Sequence, residues 1–162
     1  MERLVDEKGL IQWGIYSDPV GRVNYEDYRL ETPLGLKVPA ALRKFLANQF
    51  HFMGVIGPDI IVGIGVVDLK YLSNAFFYVF DRKTGTITES KKLVPLSGSI
   101  SIDPFPERPR SVFSGKGLTI EITAETLKAM GKGIALDIAM DSSAAKPLRI
   151  CTRAGYRRWV YT

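Results

Sequence analysis

The chain contains one histidine, His51, and one cysteine, Cys151. Those two counts decide much of the available chemistry. A single histidine excludes a histidine-rich metal site, and it leaves any serine–histidine–aspartate arrangement only one base. A single cysteine excludes an internal disulfide and any multi-cysteine metal centre. His51 is the side chain best matched to proton transfer near neutral pH. In the run Gln49-Phe50-His51-Phe52-Met53, strand alternation puts it on one face with Gln49 and Met53. Asp68 and Asp81 each close an apolar run and are the other candidate acids or bases. Asx turns at strand ends explain both equally well. No spacing sets the distance between these carboxylates, so no acid–base pair is assigned. Neither a metal nor a cofactor is expected. Cys151 reads as a small buried apolar residue.

A second pattern concerns binding. The stretch "VGIGVVD", residues 62–68, sets Gly63 and Gly65 inside a β-branched run. A dinucleotide-binding turn needs a third glycine, yet residue 68 is Asp. It also needs a helix N-terminus at that point, and none follows. As a strand the segment makes sense. Ile60, Val62, Ile64, Val66 and Asp68 share one face, and Ile61, Gly63, Gly65 and Val67 share the other. The second face is bare at two successive positions. Bare strand positions admit another element, sharp curvature or, less often, a ligand. Around them stand Asn74, Phe76, Phe77, Tyr78 and Phe80. Aromatic residues with a few polar groups are the composition of an apolar ligand pocket. The expected pocket comprises Met53, Gly63, Gly65, Asn74, Phe77, Tyr78 and Phe80, with His51 and Asp68 as further polar contacts.

These residues need a scaffold. The chain has 162 residues, the length of one domain with a sizeable core. No apolar run is long enough to span a membrane. The charged N-terminus carries no signal-peptide pattern, and the expected compartment is the cytoplasm. Net charge is +5, and its excess lies at the end. From Lys146 onward there are five basic residues and no acidic ones, against 17 basic and 17 acidic before that point. Solvated arginines on a strand explain this better than nucleic-acid binding, which is not expected.

Hydrophobic alternation and turn signals give a meander. "VPAALRKFLANQ" reads as a short helix with Pro39 in its first turn. "QFHFMGVI", "IIVGIGVVD", "AFFYVFD" and "TITESKKLV" read as successive antiparallel strands with tight connections. A proline-rich loop follows around Pro104, Phe105, Pro106 and Pro109. "GKGLTIEIT" is a further strand. "AETLKAMGKG" reads as a second short helix, with Thr123 as N-cap and Gly131 as stop. "IALDIAMD", "PLRICTR" and "YRRWVYT" complete the strands. The fold class is all-β. Such a meander protects its edges by closing into a barrel or by packing as two sheets. The expected form is a lipocalin-like, partly closed barrel, with a β-sandwich as the alternative.

The segment 48–85, "NQFHFMGVIGPDIIVGIGVVDLKYLSNAFFYVFDRKTG", together with "RICTRAGYRRWVYT", resembles a bacterial family known as domain of unknown function 2804. The likeness covers most of residues 10–162. That family looks like a relative of the AttH-like and hydroxyneurosporene-synthase proteins, which pair two lipocalin-like barrels. The resemblance implies an apolar small-molecule ligand. It also implies, as an alternative, a cofactor-free isomerase, hydratase or cyclase; the aromatic strands themselves leave open a third reading, a structural or interaction domain with a filled core. Family members run to roughly twice this length. The chain is therefore expected to be the N-terminal half of a two-barrel protein, with the other half or a second copy packing on the last strand. The lipocalin Gly-x-Trp signature is absent, since Trp13 precedes Gly14, and no family active-site residue carries over.

Overall fold

The computed structural model describes residues 1–162 other than Ser97, Tyr156 and Arg157. In chain order the strands are β1 (Gly14–Tyr16), β2 (Gln49–Ile56), β3 (Ile60–Asp68), β4 (Leu72–Asp81), β5 (Thr86–Pro95), β6 (Ile100–Ile102), β7 (Arg110–Gly115), β8 (Leu118–Thr123), β9 (Thr126–Gly131), β10 (Ile134–Ala139), β11 (Arg149–Gly155) and β12 (Arg158–Tyr161). One short helix, α1 (Ala40–Leu46), precedes β2. Pro39 sits just before the helix as its N-cap rather than inside it, and its carbonyl accepts the Arg43 N–H.

The chain divides into two compact units. One comprises residues 1–47, 104–107 and 142–162 and carries a three-stranded sheet in the order β1-β11-β12. Leu4, Val5, Ile11, Tyr16, Val20 and Cys151 form its core, with Trp159 and Tyr161 packed against them. Asn24 is buried there and acts as a substitute strand: its side chain accepts the Val5 N–H and donates to the Val5 carbonyl. Glu107 receives two parallel bonds from Arg149 in the same unit.

The other unit comprises residues 48–103 and 108–141. It holds a four-stranded sheet, β2-β3-β4-β5, and a five-stranded sheet, β10-β9-β8-β7-β6, all antiparallel. Neither sheet closes into a barrel, so the expected barrel gives way to the sandwich-like alternative. After β5 the chain leaves the first sheet and builds a second, rather than returning to pair with β2. More and less enclosed residues alternate along β2, β7, β8, β9 and β10, as two facing sheets require. Ile64, Val66, Ala75 and Phe77 meet Phe113, Leu118, Ile120, Ile122, Leu127 and Ala129 in one core. A side chain on Gly131 would collide with Ser90, so β5 lies tight against this hairpin.

A second correction concerns residues 124–133. The expected helix is the hairpin strand β9. Thr123 Oγ1 does accept the N–H groups of Glu125 and Thr126, the bonds a helix N-cap makes. The chain then extends instead of coiling. Leu127 and Ala129 point inward in alternation with exposed Lys128 and Met130. Lys, Ala and Met are good helix formers, and here β8 pairing overrides their propensity. Sequence reading also missed β7, which follows the proline-rich loop directly.

Candidate functional site

Two places in the sandwich unit bring chemistry-bearing residues together. The first is a polar row across the inner face of the four-stranded sheet. Antiparallel register sets Gln49 opposite Asp68 and Asp68 opposite Ser73. Lys70, in the β3–β4 turn, donates from Nζ to Asp68 Oδ2 at 2.6 Å and to Gln49 Oε1 at 2.7 Å. Its own N–H is held by Asp68 Oδ1. That clamp holds Lys70 at φ 71°, a left-handed conformation uncommon for a side chain of this type. The ion pair is close to fully enclosed.

One residue pair further along the inner face stands His51. Its Nδ1 lies 2.9 Å from Ser111 Oγ on β7. Burial pushes the imidazole pKa below its ordinary value, so the ring is neutral near pH 7. A neutral imidazole can accept a proton. Ser111 is buried, and no solution-side nucleophile results from this pair. The row caps the apolar core with satisfied polar groups.

The second place is the outer face of the same sheet. There the bare strip of β3 is covered by rings from its neighbour. Register pairs Gly63 with Tyr78 and Gly65 with Phe76. A Cβ built on Gly63 would overlap the Tyr78 ring; one on Gly65 would stand 2.8 Å from Phe76 Cζ. The rings therefore lie across the glycines. Phe52 joins from β2, with its ring centroid 6.4 Å from that of Phe76 and only 31° out of parallel. Phe50, Ile56 and Ile87 extend this face and are largely exposed.

The residues expected to form one pocket are thus divided by the sheet. Met53 and Phe77 face the core. Gly63, Gly65, Asn74, Tyr78 and Phe80 belong to the outer face by alternation. His51 and Asp68 are inward. Asn74 sits within β4. Asp81 closes β4 and accepts the N–H groups of Lys83 and Thr84, which hold its carboxyl below the usual range. That is turn chemistry. Sequence reasoning missed Lys70 and Ser111, which no local pattern singles out. It grouped Phe76, Phe77, Tyr78 and Phe80 together, although alternation along β4 puts only Phe77 of the four among the buried core residues.

A third feature is a concavity of about 420 Å³ on the outer side of the five-stranded sheet. Register aligns Val112, Glu121, Lys128 and Asp137 across it. The charges are compensated in place, by Arg110 on Glu121 and by Lys128 beside Asp137. Of the terminal basic residues, Arg149 is engaged by Glu107 and Arg153 lies over Trp13; Arg157 falls outside the described residues. Among the described residues no cluster of three or more His, Cys, Asp or Glu is placed to hold a metal. No described helix is long and apolar enough to cross a membrane.

The sequence matches the family described as domain of unknown function (DUF2804) over residues 1–162. The chain belongs to this family. Searches of curated proteins and of solved structures found no match. For the DUF2804 chain the aromatic outer face and the inner polar row are therefore the features from which function is argued.

Proposed function

We propose that this chain is a binding domain for an apolar molecule, and that its recognition surface is the outer aromatic face of the four-stranded sheet. One observation carries the reading: the rings of Phe76 and Tyr78 lie across Gly65 and Gly63, beside the half-exposed ring of Phe52. Glycines beneath the rings let them settle toward the sheet and turn their faces outward. Such a surface suits a flat or chain-like apolar ligand, with Asn74, Glu89 and Lys91 as polar neighbours. Sites on rigid strands also hold their geometry better than sites on loops. The expected ligand class is unchanged from the sequence reading; its place moves from a barrel interior to a sheet surface. Kinship with the AttH-like proteins, a second domain alongside this one and a cytoplasmic location belong to the same proposal.

The test is equilibrium binding of fatty acids, isoprenoid alcohols and a fluorescent lipid analogue. Tyr78→Ala and Phe52→Ala should each weaken binding by about tenfold, the effect of losing one well-placed aromatic contact. Met130→Ala, on the other sheet, should leave it unchanged. Failure of every ligand class, or equal binding by all variants, overturns the reading.

A second reading is cofactor-free proton transfer to an apolar substrate. It draws on the neutral His51 at 2.9 Å from Ser111. Turnover of an isoprenoid-type substrate that disappears in His51→Gln would support it. Turnover that persists in His51→Gln would remove His51 as the acid or base.

A further inference from the structure

We propose that β2 is a self-association edge: it pairs antiparallel with β2 of a second copy, about a two-fold axis at Met53, and joins the two aromatic faces. The first ground is the edge itself. Among the described residues β2 is hydrogen-bonded on one side only, to β3, through eight consecutive residue pairs without a bulge. The Gly57 N–H bond to the Ile60 carbonyl closes the β2–β3 hairpin. In an antiparallel ladder the bonded pairs then alternate back through Val55, Met53, His51 and Gln49. The backbone groups of Phe50, Phe52, Gly54 and Ile56 therefore point off the edge.

The second ground is what this edge lacks. Edge strands are ordinarily guarded by lysine, proline, bulges or shortness. The other edges here carry such guards. β5 has Glu89, Lys91, Lys92 and Pro95; β10 has Asp137; β1 and β6 are three residues long. β12 has Arg158, and its pairing with β11 shifts register. β2, "QFHFMGVI", has no lysine, arginine, carboxylate or proline, and its one histidine faces the interior. Nothing on it repels its own copy by charge.

The third ground is register. Opposed residues must lie on the same face. A pair centred on Met53 sets Phe52 opposite Gly54 of the copy and Phe50 opposite Ile56. Phe52 would then fall on a bare glycine, as Phe76 does on Gly65 and Tyr78 on Gly63. A Cβ built on Gly54 would meet no backbone or side chain closer than 3.8 Å, and what it touches there is the movable ring of the chain's own Phe52 and the Val62 carbonyl. The pair is self-complementary, as a two-fold interface requires. An eight-residue edge is about 27 Å long. A contact confined to one strand edge and its flanking side chains is smaller than the roughly 800 Å² per partner of a standard interface, so the dimer should be reversible.

This proposal does not rest on the ligand reading, and its test is made without ligand. Sedimentation equilibrium of the full chain over a wide concentration range should show a monomer–dimer equilibrium. Phe52→Lys, at a half-exposed position, sets like charges close to the axis and should raise the dimer dissociation constant by at least about tenfold. Gly54→Pro removes an outward N–H without touching the β3 ladder and should act likewise. Circular dichroism checks that each variant folds, and either folded variant suffices. A chain that is monomeric throughout, or a dimer unaffected in a folded variant, overturns the proposal.

Discussion

The ring of Tyr78 occupies the space that a side chain on Gly63 would need. The two residues are opposite each other in the β3–β4 ladder. The missing side chain on one strand is thus supplied by the large one on the next, an exchange that keeps the sheet covered while its outer surface becomes aromatic.

That exchange makes the two positions energetically dependent. Gly63→Ala should force the Tyr78 ring outward and cost about 1–2 kcal/mol, in the range of overpacking. In a Tyr78→Ala background the same change should cost little. A double-mutant cycle by urea denaturation should return a coupling of about 0.5 kcal/mol or more. Additive costs would mean that the ring does not rest on the glycine.

Stability should fall as the solution is acidified from pH 7.5 to 5.5, because of His51. Burial lowers its folded pKa, so between the ordinary value of about 6.5 and that lower value the unfolded chain binds the extra proton. Stability is full above this interval and is lost as pH descends through it. His51→Gln, which can still bond Ser111 but does not titrate, should flatten the interval. An unchanged slope in His51→Gln would assign the effect elsewhere. Carboxylates act lower on the scale.

Glu107 is the clearest of those carboxylates. The Arg149 guanidinium holds its carboxyl below the usual range, with both bonds at 2.6 Å. Its contribution is present above about pH 4.3 and is lost as pH falls through the lowered folded value. Glu107→Gln should cost up to about 1 kcal/mol, the range for an ion pair open to solvent. Arg149→Lys should also destabilise, since an ammonium cannot make two parallel bonds. Urea midpoints at pH 7 measure both.

Cys151 should be inert in the folded chain. It is buried at 1% exposure, and burial pushes its thiol up to about 11. At pH 8 almost no thiolate is present to react. A disulfide-exchange reagent should label it only as denaturant opens the β1-β11-β12 unit. Rapid labelling in buffer would contradict the packing described for that core.

Much of this fold was legible because alternation is a local signal. The faces of β3 read from "IIVGIGVVD" match its burial, with Val62, Ile64 and Val66 enclosed. The tight connection between β2 and β3 and the α1 helix were equally readable. β9 was not, since its composition favours a helix and only the ladder to β8 makes it extended. Lys70 and Ser111 were not, because Gln49 reaches Lys70 from another strand, 21 residues away, and His51 reaches Ser111 from 60 residues away.

By itself the sequence determined an all-β chain of antiparallel hairpins, with the two glycines inside a strand and His51 facing the side of Gln49 and Met53. Period-two patterning and turn chemistry act over a few residues, and they suffice for that. Tertiary structure decided the rest. Whether a meander closes depends on whether its first and last strands meet, which no local window contains; here β5 and β2 remain edges of an open sheet. Which aromatic residues are core and which are surface depends on where the second sheet packs. That packing buried Phe77 and left Phe76 and Tyr78 across the bare strip of β3.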